Sequence, residues 1–160
     1  MTAPCDEPGE LNRYLEAHVA RLLESYHYWT GKSLVQPDLL PAEQARQLYY
    51  ASFVVLSHNT ASDPLLNYAN KAGLNLFELD WAELTTLPSR CTAEPLHRQE
   101  RADLLAKVTQ HGYIDNYRGV RISKTGRRFL IERATVWNLF DDRGAPYGQA
   151  ATFSEWKLLT

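Results

Sequence analysis

The stretch from Tyr113 to Trp156 constrains this chain more than any other part of it. Three runs rich in β-branched and aromatic residues, Tyr113 to Ser123, Phe129 to Phe140 and Tyr147 to Trp156, are separated by Lys124-Thr-Gly-Arg127 and Asp141-Asp-Arg-Gly144. Connections this short, each carrying a glycine, join neighbouring strands as antiparallel hairpins. Upstream, Phe53 to Ser57 and Leu65 to Asn70 read as two short strands flanking the turn chemistry of His58 to Pro64. Between the two groups lie helical spacings: Ala72 to Leu79 with Leu76 and Phe77 inward, then Trp81 to Leu87, stopped by Pro88. A longer helix, Glu94 to His111, places Leu96, Leu104, Leu105 and Val108 on one side, and Gly112 closes it. Two strands, short helices and three hairpin-linked strands predict an α+β fold, a five-stranded antiparallel sheet with its short helices on one face.

An amphipathic helix precedes this unit. Leu11, Leu15, Val19, Leu22, Leu23 and Tyr26 recur at helical spacing, and Gly31 ends the stretch. Such a stripe needs a partner, either the domain behind it or a second copy, and a homodimer through this helix is the expectation. Met1 to Glu10 reads as a tail, Leu34 to Pro41 as a connector, and Pro41 opens a helix reaching about Tyr50. The predicted division is residues 1–40 for tail and helix and residues 41–160 for the domain.

A length of 160 residues with 44% hydrophobic and 22% charged side chains suits one domain with a buried core. No apolar run nears the ~20 residues of a membrane span. The acidic N-terminus has neither the basic head nor the apolar stretch of a secretory signal. Cys5 and Cys91 are far apart, so a disulfide framework is not expected and a cytoplasmic setting is. Net charge is −2, which gives no field toward nucleic acid. Arg118, Arg121, Lys124, Arg127, Arg128 and Arg133 cluster locally; they read as the solvated face of a hairpin rather than a phosphate contact.

Several segments resemble one family in order. Strand, strand, helices and three strands is the order of PAS domains, and Asn70 to Phe77 and Lys124 to Phe129 resemble PAS segments. Leu56-Ser-His58, Asp63-Pro64, Tyr68-Ala-Asn70, Leu87-Pro-Ser-Arg90, Gly119 to Ser123, Val136-Trp-Asn138 and Gly148 to Phe153 resemble the PAS-like MEKHLA family. The resemblance covers about Leu48 to the C-terminus. That family also forms the C-terminal domain of class III homeodomain-leucine zipper plant transcription factors, where its suggested role is sensing and control of dimerisation. This chain shows no homeodomain and no zipper, so the resemblance implies only a sensory, ligand-binding or protein-interaction module in signalling.

Chemistry is sparse. In LOV domains, a PAS subfamily, a cysteine bonds to flavin, and Cys91 falls near that place. Its neighbours Arg90 and Thr92 depart from the LOV signature, and the flavin-holding amide positions map to Arg121, Ile131 and Thr152, which lack those amides. Cys91 therefore reads as a small buried residue and flavin is not expected. His97 and His111 are the only helix candidates for an axial haem ligand, and nothing supports them; haem is not expected either. No Cys or His spacing suggests zinc. Adjacent Ser57 and His58 in one strand point to opposite faces and cannot be nucleophile and base; with Asn59 they read as turn-fixing residues. Arg90 reads as a clip to Glu94 or Asp80. The candidate ligand pocket, between sheet and short helices, comprises Asn70, Cys91, Tyr117, Arg121, Trp137 and Phe153. The chain is read as a non-enzyme that takes a small molecule, the alternative being a small enzyme using Arg121, Tyr117 and His58.

Overall fold

The computed structural model describes residues 6–160; Cys5 and the first part of the expected tail lie outside the described residues. Strands β1 (Val54–His58), β2 (Leu66–Ala69), β3 (Tyr113–Ile122), β4 (Arg128–Phe140) and β5 (Pro146–Phe153) form one antiparallel sheet in the order β2-β1-β5-β4-β3. A sixth strand, β6 (Glu155–Leu158), also pairs with β4. Six strands stand where five are expected because the expected last strand breaks at Ser154. Both pieces run along the same edge of β4, β5 beside Thr135 to Phe140 and β6 beside Phe129 to Glu132. The break stands opposite Arg133, whose φ of 54° is left-handed and which falls at a register shift between β3 and β4. β3 answers with a left-handed Asn116 at φ 57°.

Helices α3 (Lys71–Phe77), α4 (Trp81–Leu84) and α5 (Pro95–His111), with a 3-10 turn at Ser89–Thr92, connect the two strand groups. Helix α1 (Glu16–Thr30) covers the sheet's other face, with α2 (Pro41–Tyr49) packed beside it. Neighbouring residues of a strand point to opposite faces, and β4 shows both layers. Val136 turns toward α5 while Trp137 turns toward α1. The indole of Trp137 donates to Ser25 Oγ at 2.9 Å and meets Tyr26 edge-on, ring centres 5.0 Å apart.

Val19, Leu22 and Tyr26 of α1 are therefore buried inside the chain. The apolar stripe finds its partner in the chain's own sheet. Leu11 falls off that stripe because Arg13, Tyr14 and Leu15 are left-handed and reset the helical phase. Leu96, expected inward on α5, is exposed as well.

The basic residues of the last hairpins are mostly paired. Arg118 meets Glu132, Lys124 meets Glu83, Arg127 meets Glu78, Arg128 meets Glu94 and Arg133 meets Glu155. Arg90 pairs with Asp63 at 3.1 and 3.2 Å rather than with Glu94 or Asp80. It thus clips the loop after β1 to the 3-10 turn, since Glu94 is already taken by Arg128 at 2.6 Å. Among the described residues, no helix is long and apolar enough to cross a membrane.

Candidate functional site

The face of the sheet turned toward α3 and α5 closes over a small cavity of about 50 Å³. Leu56, Leu66, Phe77, Leu104, Ile131 and Phe153 make its apolar wall. Arg101, Arg121, Tyr117, His58 and Gln149 bring the polar atoms. The volume corresponds to roughly three to five water-sized positions.

β3 sets Tyr117 and Arg121 on the cavity side by alternation, with Gly119 between them. A side chain at Gly119 would overlap the Tyr117 hydroxyl; its absence lets the phenol fold back along the strand. Arg121, only 7% exposed, then donates from Nη2 to the Tyr117 hydroxyl at 3.1 Å and from Nη1 to the Val120 carbonyl at 2.8 Å. Tyr117 in turn donates to the Glu100 carboxylate at 3.0 Å. No carboxylate reaches Arg121 itself among the described residues. Arg101, the next residue of α5, has neither a hydrogen bond nor an ion pair among them. Burial pushes its guanidinium down to about 10, and the charge of Arg121 adds to the effect. A guanidinium withdrawn from water without a counter-charge is costly.

His58 completes the polar set. Its Nδ1 donates to the Asn59 carbonyl at 2.9 Å, which leaves Nε2 buried without a partner among the described residues. Burial holds the imidazole below its usual range, and Arg101 pushes the same way against the Asn59 bond. At the far end Gln149 Nε2 donates to Leu105 O, Thr109 Oγ1 and Asn138 Oδ1 at 3.2, 3.0 and 3.0 Å. Asn138 Nδ2 donates to Val108 O at 2.8 Å. These amides bind the last turns of α5 to the sheet.

Three of the six expected pocket residues meet here: Tyr117, Arg121 and Phe153 line the cavity. The other three do not. Trp137 lies on the α1 side, as alternation from Val136 requires. Asn70 is structural: its side chain caps α3 and is fully hydrogen-bonded. Cys91 is a partly buried free thiol beside Arg90, outside the lining. Arg101 and Gln149 were not anticipated. The signal for Arg101 is its spacing from Leu104, Leu105 and Val108, which puts a cation on the apolar face of α5.

Ser57 and His58 do part to opposite faces. Ser57 instead meets His18 of α1, Nε2 to Oγ 3.0 Å, and donates its own proton to Asn67 Oδ1 at 2.6 Å. His18 Nε2 must then be the donor, so the imidazole holds Ser57 and does not activate it. No group of three or more His, Cys, Asp or Glu among the described residues is arranged to hold a metal ion.

Comparison with known proteins supplies the context. The MEKHLA domain family matches residues 16–158. Homeobox-leucine zipper protein ATHB-9 of Arabidopsis thaliana is 29% identical over 143 residues, covering 86% of this chain and 17% of that protein. Homeobox-leucine zipper protein HOX32 of Oryza sativa subsp. japonica is 25% identical over 147 residues, covering 90% and 17%. The chain thus spans about a sixth of the length of these relatives. Among solved structures, a PAS domain from Colwellia psychrerythraea superposes with TM-score 0.61 at 13% identity, over 74% of this chain and 95% of that one. An RNA-binding Light-Oxygen-Voltage receptor superposes with TM-score 0.58 at 20% identity, over 75% and 33%. At such identities the likeness is one of fold.

Proposed function

This chain belongs to the MEKHLA domain family, and from that premise we propose that it works as a non-catalytic sensory module whose cavity takes a small-molecule guest. The observation that carries this reading is the apolar cavity between sheet and α5, lined among others by Arg101, which has no hydrogen bond or ion pair among the described residues, and by His58, whose buried Nε2 has no partner among them. A closed apolar core has no use for such atoms, whereas a binding site needs a few of them to orient what it holds.

A route outward follows from β4. Ile131 and Val136 touch the cavity while Trp137 grips α1, so a guest that shifts β4 shifts the helix behind it. Signalling then consists of a change in how α1 sits, passed to a partner. Homodimer formation through the N-terminal segment belongs to the same reading, with Leu11 and Tyr28 the apolar side chains left exposed there. Flavin and haem are not the guests we propose, because Arg121, Ile131 and Thr152 offer neither a flavin's amide partners nor an axial ligand.

Three measurements test the reading. Native mass spectrometry of the purified protein is expected to show a retained small molecule, or uptake of one from a metabolite mixture. Hydrogen exchange is then expected to change in α1 as well as in α5 when the guest binds; protection confined to α5 would reject transmission through β4. For assembly, sedimentation showing a two-chain mass that falls on Leu11→Asp supports pairing, and a one-chain mass at every concentration rejects it.

A further inference from the structure

We propose that the guest is a compact organic carboxylate, its anionic head held between Arg101 and Arg121 and its body against the apolar wall. The proposal rests on the cavity being a guest site, and it adds the chemistry of the guest.

Charge is the first argument. Two guanidinium groups face one apolar cavity, and neither has a carboxylate partner among the described residues. The contrast with the exposed arginines of the same hairpins is direct, since Arg118, Arg127, Arg128 and Arg133 each have an acid. Arg101 is close enough to Arg121 for the two charges to oppose each other. An anion lodged between them removes that repulsion and uses donor positions that protein atoms leave open. Arg121 arrives already oriented, clamped by Tyr117 and the Val120 carbonyl. A planar fork held in place suits a planar carboxylate.

Size and polarity narrow the class. A cavity of about 50 Å³ admits a handful of non-hydrogen atoms, which excludes nucleotides and large cofactors without rearrangement. Away from the arginines the wall is Leu56, Leu66, Phe77, Ile131 and Phe153, so the body of the guest is apolar. Among the residues lining the cavity, His58 also carries a buried ring nitrogen, Nε2, with no partner among the described residues. With Nδ1 donating to Asn59, it accepts, and a hydroxyl on the guest would satisfy it.

Calorimetric titration of the full chain with propionate, butyrate and lactate, beside their uncharged amides and inorganic phosphate, tests this. The expected result is saturable binding of at least one carboxylate and none of the matching amide. Arg101→Gln is expected to weaken that binding tenfold or more while leaving the free protein's melting temperature unchanged or higher, because it removes an unpaired charge. Arg101→Lys is expected to fall between the two. Amides binding as well as acids would overturn the carboxylate assignment and leave the guest site intact. Phosphate binding alone would overturn it in favour of an inorganic anion. No binding by any probe, with no retained molecule in native mass spectrometry, would overturn the guest site itself; carboxylate binding unchanged by Arg101→Gln would place the anion elsewhere.

Discussion

At the scale of single residues, most of the polar side chains that are buried are spoken for, and the cost of removing one follows from its bonds. Asn70 Oδ1 accepts from Val55 and Gly73 amides at 3.1 Å each, and Nδ2 donates to the Leu48 and Phe53 carbonyls at 3.0 and 2.8 Å. It thereby ties α2, β1 and α3 together. Asn70→Ala is expected to cost about 3 kcal/mol or more, given a lost helix cap and several orphaned buried groups, measured by urea unfolding; a cost below about 1 kcal/mol would contradict this role. Gly119→Ala is expected to displace the Tyr117 ring and release Arg121, with a modest loss of melting temperature and loss of the tyrosine's protection from iodination. His18 gives a pH dependence. Burial, with Arg21 beside it, pushes its imidazole from 6.5 down to about 4. The unfolded chain therefore takes up that proton first, so stability is full above pH 6.5 and falls as pH drops toward 4, by up to about 3 kcal/mol. His18→Gln is expected to flatten this part of the stability curve; an unchanged slope would assign it to other groups.

Among elements, β4 and α5 differ in how firmly they are held. β4 is paired along both edges and buries Phe129, Ile131, Ala134, Val136, Trp137 and Leu139. α5 buries only Leu104 and Val108 over seventeen residues. Native-state hydrogen exchange is expected to find the amides of α5 opening well before those of β4; equal protection would show α5 to be part of the same cooperative unit. The hairpins were legible in the sequence because Gly126 and Gly144 mark turns, each with a left-handed backbone. The interruption at Ser154 was not, since it stands opposite the left-handed Arg133, and arginine carries no preference for that conformation. Arg121 and Tyr117, named as pocket residues from the sequence, share one face of β3 by alternation and line the cavity. Trp137 was misplaced because an alternating strand buried on both faces gives no hint of which face holds the cavity.

For the molecule as a whole, the N-terminal forty residues and the remainder share a core. Tyr14, Val19, Leu22 and Tyr26 belong to the same buried cluster as Trp137 and Leu139. A chain beginning at Pro41 is accordingly expected to lose cooperative thermal unfolding, because Trp137 and the reverse face of the sheet would meet water. Retention of a sharp transition near the full chain's melting temperature would show that the sheet and its short helices suffice. The two ends of α5 are fastened by different means. Toward His111 the fastening is made of neutral amides, Gln149 and Asn138 against helix carbonyls; toward Pro95 it involves charged groups, Glu94 in an ion pair with Arg128 and the Glu100 carboxylate accepting from the Tyr117 hydroxyl. Dissolved electrolyte weakens the second kind and spares the first. Ionic strength consequently acts on this helix as a hand on a hinged door, easing the latch without touching the hinge, so amide exchange near Pro95 should quicken with added salt while exchange near His111 does not.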